Sequence, residues 1–317
     1  MRRCLYCYLP LAEQKQDFHA RCSKKIFGQQ QAPMLPYHED KMEELATQVI
    51  KRQMTVTGVQ PKLSLHLASG ENKNGPKRFT IVGLWGGYIL KPPTPHYPQL
   101  PEVEDLTMHL ADIAKIDAVP HSLIRLQSGN LAYITKRIDR DNQEKIPMED
   151  MCQLTERLTE NKYLGSYEQI AKVIQKFSSN PGLDVVNFFE QVLFSFLTGN
   201  ADMHLKNFSL IKRAGIGHGL SPAYDMVATA LVNPADDEDM ALSLNGKKKK
   251  IRRSDFIAAF DTLNLDEKQQ ENIFAKMKKV KPQWMAFIDI SFLNNKFKAD
   301  YKVLIENRFS RLSVHNE

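Results

Sequence analysis

The sequence predicts an α+β protein of two lobes, a β-rich lobe followed by a mainly helical one. Short runs with strand character, separated by Gly, Pro and Asn, recur between residues 54 and 136. Beyond residue 140 the apolar residues recur at helical spacing instead. The 317 residues are enough for one bilobed domain or two modest ones. We therefore expect an N-terminal segment over residues 1–50, a first lobe over 51–140 and a helical lobe over 141–317.

The first lobe is expected to follow a helix over residues 39–52. Its predicted strands are residues 54–57, 62–67, 78–82, 88–91, 121–126 and 130–136. Pro101 opens an amphipathic helix before the last two strands, because Leu106, Leu110 and Ile113 form an apolar stripe at helical spacing. The turn Ser128-Gly129 joins those two strands.

The second lobe is predicted to contain helices over residues 167–177 and 185–197, each with an apolar stripe that we interpret as core. A polar loop follows over residues 199–207, then a short strand over 208–211 that opens a hairpin. Three further helices are expected from residue 254 onward. A cleft between two such lobes is a natural place for a ligand.

The composition excludes several classes of protein. Lys and Arg number 43 against 37 Asp and Glu, and residues 247–253 alone hold six positive charges. The basic character is therefore local, which argues against a general nucleic-acid binder. We find no apolar run long enough to span a bilayer and no signal peptide, so we expect no membrane association. Four cysteines do not make a disulfide scaffold, and a reducing, cytoplasmic setting is expected.

The most informative segment is the polar loop, which carries Asp202 and Asn207 close together in sequence. Phosphoryl transfer needs a carboxylate that orients the attacking hydroxyl and an amide oxygen that holds Mg²⁺. A second acid for the metal is available further along the chain at Asp225, after the predicted hairpin. Lys91, at the end of a predicted strand, could meet nucleotide phosphates, although a strand-end lysine can equally well be solvated.

Four stretches resemble the HipA family of bacterial serine/threonine protein kinases, the toxins of HipBA-type toxin–antitoxin modules. They are TVTGVQPK at residues 55–62, ILKPP at 89–93, EDMCQ at 149–153, and DMHLKN at 202–207 with YD at 224–225. The resemblance covers about residues 50–290 and implies a protein-kinase-like fold. Eukaryotic kinase motifs such as His-Arg-Asp and Asp-Phe-Gly are missing, so we do not expect the activation-loop switch of those enzymes.

The resemblance implies ATP and Mg²⁺ as ligands. Asp202 would be the catalytic base, with His204 beside it, and Asn207 and Asp225 would hold Mg²⁺. The ATP-binding residues that it implies are Thr57, Gly58, Val59 and Gln60 of a phosphate loop, Lys91 with its candidate partner Glu104, and Lys136 and Ile138 of a hinge. Glu104 could instead be an acid favoured by the dipole at a helix N-terminus.

The chain is short for the family, with little more than the N-terminal segment before the phosphate loop, and in this it resembles HipT of three-part HipBST systems. That likeness implies autophosphorylation at Thr55 and Thr57, where a phosphate would repel nucleotide. It also implies an aminoacyl-tRNA synthetase as substrate, inhibition of translation, and as partners a HipB-like helix-turn-helix antitoxin and a HipS-like small protein. Contact with DNA would be indirect, through the antitoxin.

Three other functions remain open on the sequence. A pseudokinase could serve as a scaffold for an antitoxin–DNA complex, although every catalytic residue type is present. The loop at Asp202–Asn207 also resembles that of phosphatidylinositol kinases, although no membrane-docking helix is evident. A zinc-ribbon nucleic-acid binder is disfavoured by the near-neutral charge outside residues 247–253. That run is either a solvated loop or a docking patch for a tRNA-bearing or acidic protein substrate.

Cys4, Cys7, His19 and Cys22 supply four zinc-type ligands within one short segment. Cys-x2-Cys and His-x2-Cys pairs can each clamp one side of a tetrahedral ion. The alternative is a set of reduced thiols in a poorly ordered N-terminus. Since all four positions would be filled, bound Zn²⁺ would be structural and not catalytic.

Overall fold

The computed structural model describes residues 2–12, 16–39, 41–42, 44, 62–68, 77–82, 86–141, 144–235 and 237–313. These form two compact units. The first contains Met1–Asp105, Val119–Lys145 and Ile290–Phe292, and the second contains Leu106–Ala118, Ile146–Asp289 and Leu293–Glu317. The division at residue 140 that the sequence suggested stays a prediction.

The first unit is built on an antiparallel sheet of five strands in the order β2-β1-β3-β5-β4. The strands are β1 Leu63–Ala68, β2 Arg78–Val82, β3 Tyr88–Lys91, β4 His121–Arg125 and β5 Leu131–Lys136. A small hairpin pairs β6 Arg140–Asp141 with β7 Glu144–Lys145. The helices are α1 Ala20–Phe27 and the first part of α2, which spans Leu100–Ile113 and passes into the second unit at residue 106.

Helix α1 packs on the sheet through aromatic contacts. The Phe27 ring lies 5.8 Å from that of Phe79 on β2, and the Tyr88 hydroxyl donates to the carbonyl of Ile26 at 2.9 Å. The segment before α1 is also part of this core, because Cys4 and Leu5 are fully buried.

Among its described residues the second unit has a sheet of three strands and, besides the end of α2, seven α-helices. The sheet order is β10-β9-β8, with β8 Met148–Asp150, β9 Ser209–Arg213 and β10 Gly217–Leu220. The helices are α3 Met151–Leu154, α4 Tyr167–Phe177, α5 Pro181–Thr198, α6 Thr229–Val232, α7 Arg253–Thr262, α8 Glu267–Asp289 and α9 Asn295–Leu312. Helix α5 is central, with Phe188, Phe189, Phe194 and Phe196 fully buried, and contacts α4, α8 and α9.

Most predicted elements are confirmed. β2, β3 and α4 occupy the predicted residues, and the three C-terminal helices are α7, α8 and α9. Helix α5 begins earlier than predicted because a proline at its first turn, Pro181, is already compatible with helix geometry. The strand predicted at residues 54–57 and most of the helix predicted at 39–52 lie outside the described residues.

Three lysines of the basic run in the second unit form ion pairs with acids. Lys247 lies 2.7 Å from Asp255, and Lys248 lies 3.6 Å from Glu238. Lys249 pairs with Asp237 of the acidic run that precedes it. The cations therefore carry less net positive potential than the sequence suggests. Across the described residues, none of the helices is both long and apolar enough to cross a bilayer.

Candidate active site

The candidate catalytic loop directly follows helix α5. Gly199 ends the helix in the left-handed conformation, with φ of 70°, and donates from its backbone N–H to Phe196. The positive φ favours glycine, and a Cβ at Gly199 would also lie 2.6 Å from the side chain of Leu304, which would have to shift. The polar loop thus begins at a fixed point on a buried helix.

The loop holds Asp202 and Asn207 against each other. The Asn207 amide nitrogen donates to the backbone carbonyl of Asp202 at 2.9 Å. That bond uses the amide nitrogen, which leaves the amide oxygen for a cation. Asn200 accepts from the Asp202 backbone N–H at 3.1 Å and further fixes the turn. The 3₁₀ turn Leu205–Asn207 closes the loop before β9.

The segment at residues 149–153 is attached to the same loop. Asp150 caps α3 by accepting from the Gln153 N–H, and Gln153 accepts in return from the Asp150 N–H. The second carboxylate oxygen of Asp150 lies 2.6 Å from the ammonium of Lys206, inside the loop. Two stretches that are distant in sequence are therefore one structural element.

Asp225 is held beside this element by its neighbour. The Tyr224 hydroxyl is 2.5 Å from the Ser209 hydroxyl and donates to the backbone carbonyl of Lys206 at 3.0 Å. The backbone of Asp225 is left-handed, with φ of 60°, which is uncommon for a residue with a side chain and is often found at functional sites.

The pKa of His204 is influenced by both Asp202 and Asp225. Its side chain is buried, and burial lowers its pKa to about 4, although the negative charges of Asp202 and Asp225 act in the opposite direction. The positive charge of Lys162 lowers the pKa further. The imidazole is therefore neutral at pH 7. Asp202 and Asp225 both lie close enough to His204 for their charges to act on its pKa.

This burial predicts a pH dependence of stability. Between about pH 6.5 and pH 4 the unfolded chain binds a proton at His204 that the folded chain does not. The free energy of unfolding should therefore fall by about 2–3 kcal/mol as the pH falls through this window. We expect His204→Gln to lose this contribution, measured by urea unfolding at several pH values. His218→Gln, which changes an exposed histidine of the same unit, should keep it; equal slopes in the two variants would contradict the assignment.

In the first unit, Lys91 and Glu104 form a buried ion pair. The Lys91 ammonium lies 2.5 Å from a Glu104 carboxylate oxygen, and their side chains are 6% and 1% exposed. β3 supplies the lysine and α2 the acid, while the ring of Tyr133, opposite Lys91 on β5, lies 5.4 Å from the ammonium. The pair positions Lys91 and does not leave it solvated.

Of the other residues predicted to bind ATP, the structure describes Lys136 and Ile138. Lys136 is exposed at the end of β5, and Ile138 is half-buried just beyond it. Thr55, Thr57, Gly58, Val59 and Gln60 lie outside the described residues, so their roles stay predictions. The predicted zinc ligands Cys4, Cys7, His19 and Cys22 are brought together in the first unit.

The sequence interpretation missed two residues of the second unit. The Tyr163 hydroxyl donates to Asp202 Oδ1 at 2.6 Å, and its ring meets the His204 ring edge-on at 5.0 Å. Lys162 lies beside them, with its ammonium 4.9 Å from the Tyr163 ring. Lys162 and Tyr163 lie in an irregular segment well before the loop. Neither periodicity nor sequence spacing there indicates that they are close to Asp202 and His204.

The residues of the second unit fit a nucleotide and a metal ion. Among the described residues, Asn200 Nδ2 and His204 Nδ1 are buried polar atoms without a hydrogen-bond partner. Such atoms are costly unless a ligand or water satisfies them. The amide oxygen of Asn207 and the carboxylate of Asp225 are oxygen donors of the kind that Mg²⁺ prefers.

Comparison with known proteins gives the family. Residues 54–284 match the model of the HipA-like C-terminal domain. The chain belongs to the HipA-like family. A Haemophilus influenzae relative named "Putative kinase" is 30% identical over 211 residues, and "Putative kinase Y4dM" of Sinorhizobium fredii is 32% identical over 207 residues. Each match covers 62% of this chain, but only 59% and 49% of the respective relative, so the HipA-like chain spans about half the length of these proteins.

Solved structures show that the HipA-like chain has the fold of known kinases. HipA of Shewanella oneidensis, solved with HipB and operator DNA, matches with a TM-score of 0.69 and 22% identity, over 84% of this chain and 70% of that one. The Helicobacter pylori proinflammatory kinase CtkA matches with a TM-score of 0.55 and 14% identity, over 79% and 93%. The predicted α+β kinase-like fold is thereby confirmed.

Proposed function

We propose that this HipA-like chain is an ATP-dependent protein kinase that phosphorylates Ser or Thr. The observation that carries the proposal is the loop in which Asn207 bonds to Asp202, and to which Tyr224, the residue before Asp225, is joined through the Lys206 carbonyl. Phosphoryl transfer depends on positioning and charge stabilisation, for which this arrangement is suited.

Each residue has one role in the proposed reaction. Asp202 orients the acceptor hydroxyl and takes its proton. Asn207 and Asp225 would hold Mg²⁺, which neutralises charge on the transferred phosphate when bound. Neutral His204 has a buried Nδ1 available to donate or accept a hydrogen bond beside Asp202. Lys91, fixed by Glu104, would meet the phosphates of ATP.

The proposal extends to a toxin of the HipT type. HipB and operator DNA accompany the Shewanella HipA, which supports an antitoxin partner and indirect contact with DNA. The aminoacyl-tRNA synthetase substrate, the HipS-like partner, and autophosphorylation at Thr55 and Thr57 rest on the sequence resemblance. A phosphate on either threonine would place negative charge near the nucleotide phosphates and lower activity.

The direct test is mass spectrometry of the full chain before and after incubation with ATP and Mg²⁺. We expect one or two phosphates on the peptide that contains Thr55 and Thr57, and none in a Thr55→Ala/Thr57→Ala variant. The same reactions are run with purified aminoacyl-tRNA synthetases. ATP binding without transfer to the chain or to any synthetase would favour a scaffold over a kinase.

Tyr163 is expected to limit access to Asp202. An acceptor hydroxyl that donates to Asp202 Oδ1 must displace the Tyr163 hydroxyl, which occupies that oxygen at 2.6 Å. Removing the hydrogen bond from Tyr163 to the Asp202 carboxylate should strengthen binding of the acceptor by up to about tenfold. We therefore expect Tyr163→Phe to lower KM for the protein acceptor while kcat stays within about twofold. A lower kcat with unchanged KM would instead show that Tyr163 holds Asp202 in its active position.

A further inference from the structure

The four residues of the N-terminal cysteine–histidine cluster form one compact group in the first unit. The ligand atoms of Cys4, Cys7, His19 and Cys22 all lie within 4.8 Å of one another. His19 Nδ1 is 3.4 Å from the Cys7 sulfur and 3.8 Å from the Cys22 sulfur. Two sulfur ligands about 2.3 Å from a tetrahedral zinc ion lie about 3.8 Å apart, so small side-chain shifts bring this group to coordination geometry.

The hydrogen bonds around His19 fix which nitrogen faces the sulfurs. His19 Nε2 lies 3.0 Å from the backbone carbonyl of Pro10. Because a carbonyl only accepts, Nε2 carries the hydrogen, and the lone pair of the neutral ring is on Nδ1. A metal-bound histidine commonly donates its other N–H to a carbonyl in this way.

The backbone supplies two rigid supports for the ligands. Cys4 and Cys7 lie in a tight turn in which the Tyr8 N–H donates to the Cys4 carbonyl at 2.9 Å. His19 and Cys22 lie at the start of α1, where the Cys22 N–H donates to the His19 carbonyl at 2.9 Å. His19 is the N-cap residue of α1, but its side chain does not cap the helix and is engaged with the cluster.

We propose that Cys4, Cys7, His19 Nδ1 and Cys22 bind one structural Zn²⁺ that fastens the N-terminal segment and α1 to the sheet of the first unit. Three thiolates and a neutral imidazole complete a tetrahedral site, and the thiol protons pass to solvent on binding. With four protein ligands, the ion has no open position for catalysis. This site is independent of the proposed kinase activity.

The attachment that the ion would secure is visible in the contacts of Leu5 and Tyr8. The Leu5 carbonyl accepts from the Leu123 N–H at 3.3 Å and from the Ser122 hydroxyl at 3.1 Å, both on β4. The Tyr8 hydroxyl donates to Asp105 on α2 at 2.7 Å. A structural metal adds its binding free energy to that of folding, so the ion would reinforce these contacts.

The test is the metal content of the full chain, purified without a histidine tag or chelator and measured by plasma mass spectrometry. We expect one zinc per chain in the wild type and in Cys152→Ala, which removes the buried cysteine of the second unit. Cys22→Ser and His19→Ala should lose the zinc, and His19→Cys should retain it because a fourth thiolate replaces the imidazole.

A second measurement covers variants that fail to fold. Titrating the wild type with a mercurial thiol reagent should release one zinc as the cluster thiols react, and Co²⁺ exchanged into the protein should give the visible bands of tetrahedral thiolate coordination. Four free thiols without metal, a disulfide among Cys4, Cys7 and Cys22, or zinc retained by Cys22→Ser would each overturn the proposal. Loss of kinase activity would not bear on it, since zinc content is measured directly.

Discussion

Asp202→Asn is expected to abolish phosphoryl transfer and to leave the fold intact. The amide cannot accept the proton of the attacking hydroxyl, and loss of a positioned general base lowers rates by about 10²- to 10⁴-fold. The amide oxygen can still accept from Tyr163, and the backbone bond from Asn207 to residue 202 does not involve the side chain. We therefore expect a free energy of unfolding within about 0.5 kcal/mol of the wild type.

The measurement is incorporation of labelled phosphate from ATP, beside thermal unfolding of the same samples. Asp237→Asn is the matched control, because it removes the same charge from an exposed side chain of the same unit. Wild-type turnover in Asp202→Asn would remove Asp202 from the mechanism, and equal losses in both variants would point to a general effect of charge.

Lys91→Met is expected to have the largest combined effect on stability and activity. The variant removes the cation that lies 2.5 Å from the buried Glu104 carboxylate, and breaking a buried ion pair costs about 3–5 kcal/mol. It also removes the cation proposed to meet the ATP phosphates, for which we expect at least about a hundredfold loss of turnover. Glu104→Gln should destabilise the protein for the same reason, because it removes the carboxylate charge beside the buried Lys91 ammonium.

The double variant Lys91→Met/Glu104→Gln separates the two effects. It removes both charges of the buried pair together, so its stability should recover most of the loss while activity stays low. Lys296→Met provides the control, because Lys296 and Asp300 form an exposed pair whose loss should cost less than about 1 kcal/mol. Full activity in the double variant would exclude Lys91 from nucleotide binding.

The elements with strong periodicity could be predicted from the sequence. The apolar stripe of α4 and the strands bounded by Gly, Pro and Asn required no tertiary information. The loop of Asp202 and Asn207 could be found because both residues lie on one short segment. Lys91 and Glu104 were named as candidate partners, and they are an ion pair.

Other features depend on contacts that sequence spacing does not encode. Tyr163 reaches Asp202 from an irregular segment, and Asp150 reaches Lys206 from a distant stretch of the chain. The N-terminal segment was open to interpretation as poorly ordered, because its hydrogen bonds to β4 join residues that are far apart in sequence. The pairing of Lys247 with Asp255 could not be predicted from the sequence, because it depends on the first turn of α7 placing Asp255 beside Lys247.

The left-handed backbone at Asp225 restricts the residue types that fit this position without strain. Asparagine adopts positive φ at least as readily as aspartate, whereas alanine and the β-branched residues incur a steric cost there. Asp225→Asn therefore removes the charge alone, and Asp225→Ala removes the charge and strains the turn as well. An alanine variant would thus overstate the contribution of the Asp225 charge to the proposed activity, and Asp225→Asn is the better test of that charge.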